Sequence, residues 1–189
     1  MNVKVVKQNV GIDVSKDTID VALSHLTADF RKVVVSTRKF SNAAKGFKQL
    51  KDWVSDKKEP DMPVHVTMEA TGVYYESLAY FLYEQENCFV HVVLPNKARK
   101  YAQSLGLKSK TDKMDACVLA QMGLERELWR WQPISPSLLG LRQLTRERDA
   151  LARTKTNASN QLSSRKTQQG GNRSFKKTYF FFGQANQTN

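Results

Sequence analysis

Residues that cross-link chains or bind soft metals are scarce in this 189-residue sequence, which has two cysteines, Cys88 and Cys117, and three histidines, His25, His65 and His91. The cysteines are far apart and form no C-x-x-C pair. Neither a disulfide framework nor a thiolate zinc site is supported, and both are expected to be reduced, buried thiols. The histidines sit singly on strand-like stretches and are expected to be structural. Long apolar runs are absent too: none approaches the ~20 residues of a membrane span. The N-terminal MNVKVVKQNVGIDV lacks the basic-then-apolar layout of a signal peptide and reads as a strand. The expectation is a cytoplasmic protein with no membrane partner.

Acid is in short supply as well, with 18 Asp and Glu against 30 Lys and Arg, a net charge of +12 and a pI near 9.8. A surface this basic attracts nucleic-acid phosphates or anionic membranes. With no basic amphipathic helix to lie on a membrane, nucleic acid is the favoured partner. The excess is uneven. Residues 1–115 hold 18 basic and 14 acidic residues, residues 116–189 hold 12 and 4, and from Lys155 onward there are six basic residues and no acid.

What is present has a clear order. β-branched residues lead through Gly-Ile-Asp-Val to a strand end near Asp13, Thr18–Leu23 alternates as a second strand, and Arg31–Phe40 is a third. Short links between them predict an antiparallel meander. Ser41-Asn42 is the expected cap of a helix whose apolar stripe is Ala43, Phe47, Leu50 and Val54. Val64–Met68 is a strand ending at Glu69, Tyr74–Glu86 a helix, and Phe89–Leu94 a fifth strand. Helices follow over Asn96–Leu105 and Asp112–Leu124. The order β-β-β-α-β-α-β predicts an α/β fold, a mixed five-stranded sheet flanked by helices, which is the order of the ribonuclease H-like fold. Beyond Pro133 and Pro136, Leu138, Leu141, Leu144 and Leu151 mark a long polar helix to Asn160, expected as a coiled-coil arm that self-associates or as part of a helical hairpin. The expected divisions are 1–125, 137–162 and a disordered or weakly structured tail, 163–189, whose Gln-, Asn-, Ser- and Lys-rich composition carries no helical or strand period.

Four acids stand where a metal site would use them. Asp13 ends the first strand and Glu69 the fourth; if those strands are parallel neighbours, both emerge at one end of the sheet. Asp112 and Asp115 are three apart at the start of a helix and share one helical face. Mg²⁺ takes oxygen ligands, and a pair of such ions can stabilise both the attacking and the leaving oxygen of a phosphodiester displacement. Clustered carboxylates repel one another unless cations join them. The same acids also have ordinary roles open to them: a turn cap at Asp13, a solvated strand end at Glu69, first-turn helix acids at Asp112 and Asp115.

Three motifs add to this reading: Gly11-Ile12-Asp13-Val14-Ser15-Lys16, Glu69-Ala70-Thr71-Gly72-Val73-Tyr74 and Lys110-Thr111-Asp112-Lys113-Met114-Asp115-Ala116. In this order and spacing, with the stretch Leu94 to Gly106 before the third, residues 8–150 resemble the DEDD transposases of bacterial insertion sequences, insertion-sequence family 110, related to the Piv DNA invertases. The resemblance implies a RuvC-like first domain with its catalytic acidic tetrad at Asp13, Glu69, Asp112 and Asp115. It also implies Mg²⁺, with Mn²⁺ as a substitute, action on DNA, and an element-encoded guide RNA as a partner. Lys16, Lys108 and Lys110, inside or beside the motifs, are the candidates for phosphate contact.

The sequence also departs from that family. Family members continue into a second domain that supplies a serine nucleophile, and nothing after about Asn160 resembles it. Ser163, Ser164 and Ser174 have no recognisable nucleophile setting. The expectation is a truncated or disrupted copy that does not complete recombination alone. Two rival readings are a non-catalytic nucleic-acid-binding remnant or regulator, and a free-standing RuvC-type nuclease.

Overall fold

The computed structural model describes residues 3–106 and 112–184; the side chains of residues 112, 113, 136 and 165–184 lie outside that description. In chain order the elements are β1 (Val5–Val14), β2 (Thr18–Thr27), β3 (Lys32–Ser41), α1 (Ala44–Lys57), β4 (Val64–Glu69), α2 (Glu76–Tyr83), β5 (Cys88–Val93), α3 (Pro95–Ser104), α4 (Asp112–Glu125) and α5 (Pro136–Gln184). The chain divides into two compact units, Met1–Pro133 and Ile134–Asn189. Among the described residues, no helix is long and apolar enough to cross a membrane.

The sheet order is β3-β2-β1-β4-β5. β1 is central, antiparallel to β2 and parallel to β4, and β4 is parallel to β5. This antiparallel meander joined to parallel crossover strands is the ribonuclease H-like, RuvC-like topology expected from the element order.

Alternation along the strands gives the sheet two different faces. One carries Val10, Ile12 and Val14 of β1, Ile19, Val21 and Leu23 of β2, and Val66 and Met68 of β4. Phe47, Leu50 and Trp53 of α1 and Leu78, Ala79 and Leu82 of α2 pack on it. The other face is small and polar, and α4 lies on it. Ala116 and Ala120 of α4 are fully buried with Ala22 of β2. The buried Asn9 side chain donates to the Ala120 carbonyl at 2.8 Å and to Thr67 Oγ1 at 3.0 Å. α3 covers the flank of α4, with Ala98 and Tyr101 against Val118, Leu119 and Met122. At the far end of α4, Glu125 accepts hydrogen bonds from Tyr101 Oη (2.7 Å), Gln121 Nε2 (3.0 Å) and Lys32 Nζ. Burial pushes the Glu125 carboxyl up, but these hydrogen bonds outweigh it and hold the group down to about 2.

Several elements differ from the sequence reading. The second helix begins at Glu76 rather than Tyr74, because Gly72 takes a left-handed conformation (φ 59°) and residues 72–75 form a turn. It stops at Tyr83 because the Gln85 side chain takes the Phe81 carbonyl (2.8 Å) and the Gln85 N–H bonds Leu82 instead. The first unit extends past residue 125: the Trp131 N–H donates to Val90 of β5 at 2.8 Å, and the indole meets Tyr80 and Tyr83 edge-on. In the second unit, α5 runs from Pro136 to Gln184, so the helix continues through the stretch expected to carry no period. Its backbone keeps helical hydrogen bonding through Gln- and Lys-rich residues that are themselves fair helix formers.

Candidate active site

The parallel register of β1 and β4 pairs Ile12 with Met68. The next residue on each strand is an acid, Asp13 and Glu69, so the two stand side by side at the carboxyl end of the sheet. Alternation sets their face. Asn9 and Gly11 touch α4, and Asp13 is the next residue of that series. Thr67 bonds Asn9, and Glu69 is the next residue of the Thr67 series. α4 runs antiparallel to β1, with Ala120 against Asn9 and Gly11, and Ala116 against Gly11. The turn before Ala116, residues 112–115, is therefore at the Asp13 end. The backbone brings all four predicted acids to one face and one end of the sheet.

Asp13, Glu69 and Asp115 are half-buried, and Lys16 is exposed in the turn after β1. The Asp112 side chain, Lys108 and Lys110 lie outside the described residues. Among the described residues, no three Asp, Glu, His or Cys side chains converge closely enough to hold a metal ion. The donor chemistry of the set, carboxylate oxygens alone, is that of a hard divalent cation.

The rim is braced by side chains. Ser15 Oγ donates to Thr18 O at 2.8 Å and closes the turn after Asp13. Thr71 Oγ1 donates to Glu69 Oε1 at 2.9 Å, which orients that carboxylate. Asn42, expected as a helix cap, does different work. The cap position is Ala43, with extended backbone and no side-chain cap bond. The Asn42 amide instead donates to Ser15 O (2.7 Å) and Tyr74 O (3.1 Å), tying the loop after Asp13 to the loop after Glu69.

One acid was missed from sequence. Asp20 is the cross-strand partner of Asp13, and its side chain, 14% exposed, lies 3.0 Å from Lys39 Nζ. Directly paired residues on antiparallel strands share a face. The signal was available: a tight turn at Ser15–Asp17 sets the register in which residue 13 meets residue 20.

The histidines stand apart from the acids. His65 and His91 stack at 5.3 Å and share a hydrogen bond of 3.0 Å near the opposite end of the sheet. His25 lies 3.8 Å from Glu59. Cys88 and Cys117, expected to be buried, are both half-buried, and burial pushes the Cys88 thiol up to about 11.

Comparison with known proteins places the sequence. A family model described as a transposase, the DEDD type of insertion-sequence family 110, matches residues 10–165. Pilin gene-inverting proteins of Moraxella bovis and Moraxella lacunata are each 33% identical over 144 residues, covering 76% of this chain and 42% of theirs. The chain thus spans less than half the length of those relatives. Among solved structures, T. thermophilus RuvC in complex with a Holliday junction substrate aligns over 66% of this chain and all of that one, at 11% identity and TM-score 0.45. The fowlpox virus Holliday junction resolvase aligns over 62% of this chain and 96% of that one, at 14% identity and TM-score 0.42. The fold rests on the strand order rather than on these scores.

Proposed function

This chain belongs to the DEDD transposases of insertion-sequence family 110, and from that membership we propose that its α/β unit is the N-terminal, metal-dependent catalytic-type domain of a recombinase acting on DNA. Asp13, Glu69, Asp112 and Asp115 are the proposed ligands, for Mg²⁺ or, as a substitute, Mn²⁺. The observation that carries this reading is the shared end and face of β1, β4 and the first turn of α4. Bound there, divalent cations would supply charge stabilisation to the attacking and leaving oxygens of a phosphodiester.

The protein's own part is to hold mutually repelling carboxylates together and to bring phosphate to them. β1 and β4 are central strands, so Asp13 and Glu69 project from the most constrained part of the sheet. The Thr71 hydroxyl orients Glu69, and the Asn42 bridge keeps the two following loops in step. The net charge of +12 draws DNA towards the protein, with Lys16, Lys108 and Lys110 as proposed phosphate contacts beside the acids. The relatives' name describes inversion of a gene, a rearrangement of DNA strands, and agrees with that substrate. An element-encoded guide RNA and self-association through α5 belong to the same reading; the exposed Leu138, Leu141, Leu144 and Leu151 support the second.

Mn²⁺ binding followed by electron paramagnetic resonance tests the ligand set. Glu69→Gln keeps the shape and removes the charge, and is expected to weaken binding at least about tenfold, the lower end of what losing even an outer-shell partner of a ligand costs. Unchanged Mn²⁺ affinity in that variant would remove Glu69 from the site.

A further inference from the structure

α3 leaves β5 two residues after Val93, and Val93 is the register partner of Glu69. The helix therefore starts at the carboxylate end of the sheet and runs away from it. Its sequence, PNKARKYAQS, contains no acid. Ala98 and Tyr101 are buried against α4. The residues left outside are Asn96, Lys97, Arg99, Lys100, Gln103 and Ser104, all exposed and all able to donate hydrogen bonds. Asn96, Arg99, Lys100 and Gln103 follow the i, i+3, i+4, i+7 spacing of one helical stripe. Arg126, just past the end of α4, adds a further cation nearby, its guanidinium 5.9 Å from the Tyr101 ring. α1 is a contrast: its lysines share their helix with Asp52 and Asp56, and it lies on the opposite face of the sheet.

We propose that the exposed face of α3 is a binding ridge for the phosphate backbone of duplex DNA, carried by Lys97, Arg99 and Lys100, that leads the duplex to the carboxylate end. The inference rests on the DNA reading above and adds a surface to it. Charge complementarity argues for the occupant. A helix face of donors without a single acid gains from a polyanion and from little else. The three cations span about 4.5 Å of helix rise, and a duplex presents one phosphate about every 3.4 Å of its axis on each strand, so their long flexible side chains can meet neighbouring phosphates. Such contacts carry no sequence information and set register and orientation only.

The experiment is fluorescence anisotropy of the full chain with a labelled 30-base-pair duplex of arbitrary sequence across a salt series. The triple variant Lys97→Gln, Arg99→Gln, Lys100→Gln is compared with the control Lys45→Gln, Lys48→Gln, Lys51→Gln on α1, which removes the same charge. Each phosphate contact contributes about −0.9 to the slope of log affinity against log salt. The α3 variant is expected to lose about two to three from that slope and at least about tenfold in affinity near 0.1 M salt, while the control loses less than about one from the slope. All six positions are exposed, and matched thermal unfolding of the three proteins establishes that each is folded. Equal loss in both variants, or none in the α3 variant, overturns the ridge. Loss confined to a single-stranded RNA probe, with duplex binding intact, overturns DNA as the occupant. Failure of the parent chain to bind the duplex overturns the DNA reading itself, and the ridge with it.

Discussion

At Gly11 the sheet and α4 touch backbone to backbone. A Cβ at that position would lie 2.0 Å from the Ala116 carbonyl and 2.2 Å from the Ala120 amide. Neither atom belongs to a side chain that can swing away, so any larger residue must push the helix off the strand. Gly11→Ala is expected to destabilise the α/β unit by about 3 kcal/mol or more, at the upper end of overpacking costs, read as a fall in Tm by circular dichroism. An unchanged Tm would mean that α4 is not seated on β1. The same displacement would carry the Asp115 turn away from Asp13. From sequence, Gly11 was legible only as a letter of the motif before Asp13. The four acids were legible as strand ends and a helix start, because two periods, 2 and 3.6, are enough to say where such residues fall. Asp20 was not read, although the Ser15–Asp17 turn sets the register that pairs it with Asp13, and the Asn42 bridge was not read because it depends on a loop-to-loop distance that no local pattern encodes.

Among elements, the least legible was the stretch after α4, which crosses back to β5. Its grip there involves two histidines. His91 Nδ1 lies 3.1 Å from the Trp129 carbonyl, which can only accept, so His91 carries its proton on Nδ1. His91 Nε2 is then the acceptor for His65 Nδ1–H at 3.0 Å. The chain of bonds needs a neutral His91. Burial first, then the charges of His91, Lys7 and Arg130, pulls His65 down to about 4, and burial likewise lowers His91. Between pH 6.5 and about 4 the unfolded chain binds protons that the folded one refuses. The stabilisation is thus complete above 6.5 and lost as pH falls towards 4. Thermal unfolding from pH 7.5 to 4 should show Tm falling through that window, with a shallower slope in His65→Phe. The Glu125 contribution disappears lower, between the ordinary glutamate range and about 2, so the two are separable. An identical slope in His65→Phe would remove the pair from the acid response. Element existence was otherwise well marked in the sequence. The boundaries that moved, at Gly72 and Gln85, did so through a backbone conformation and a side-chain bond rather than through the apolar pattern.

For the whole molecule, the two units obey different physics. The first has its own core on one face of the sheet, and on the other a small-residue seam and a cluster between α3 and α4; every element from β1 to α4 contributes to one of the three. In the second, α5 exposes Leu138, Leu141, Leu144, Leu151 and Leu162 along its length. A helix gains most of its stability from burying an apolar face, and propensity alone sustains only a marginal helix in water. Leu144 and Leu151 are one heptad apart, as Leu141 and Leu162 are three, so a partner helix would find a narrow seam interrupted by Arg148 and Lys155. That interruption makes the seam a weak one. A peptide of residues 134–184 is therefore expected to show helicity that rises with concentration from micromolar to millimolar, followed by circular dichroism with sedimentation equilibrium on the same samples. Replacing Leu144 and Leu151 by Ala, the better helix former, should abolish the concentration dependence while preserving or raising helicity in dilute solution. Concentration-independent helicity in the parent peptide would show that the leucines are not an association seam, and would take self-association through α5 out of the proposed function.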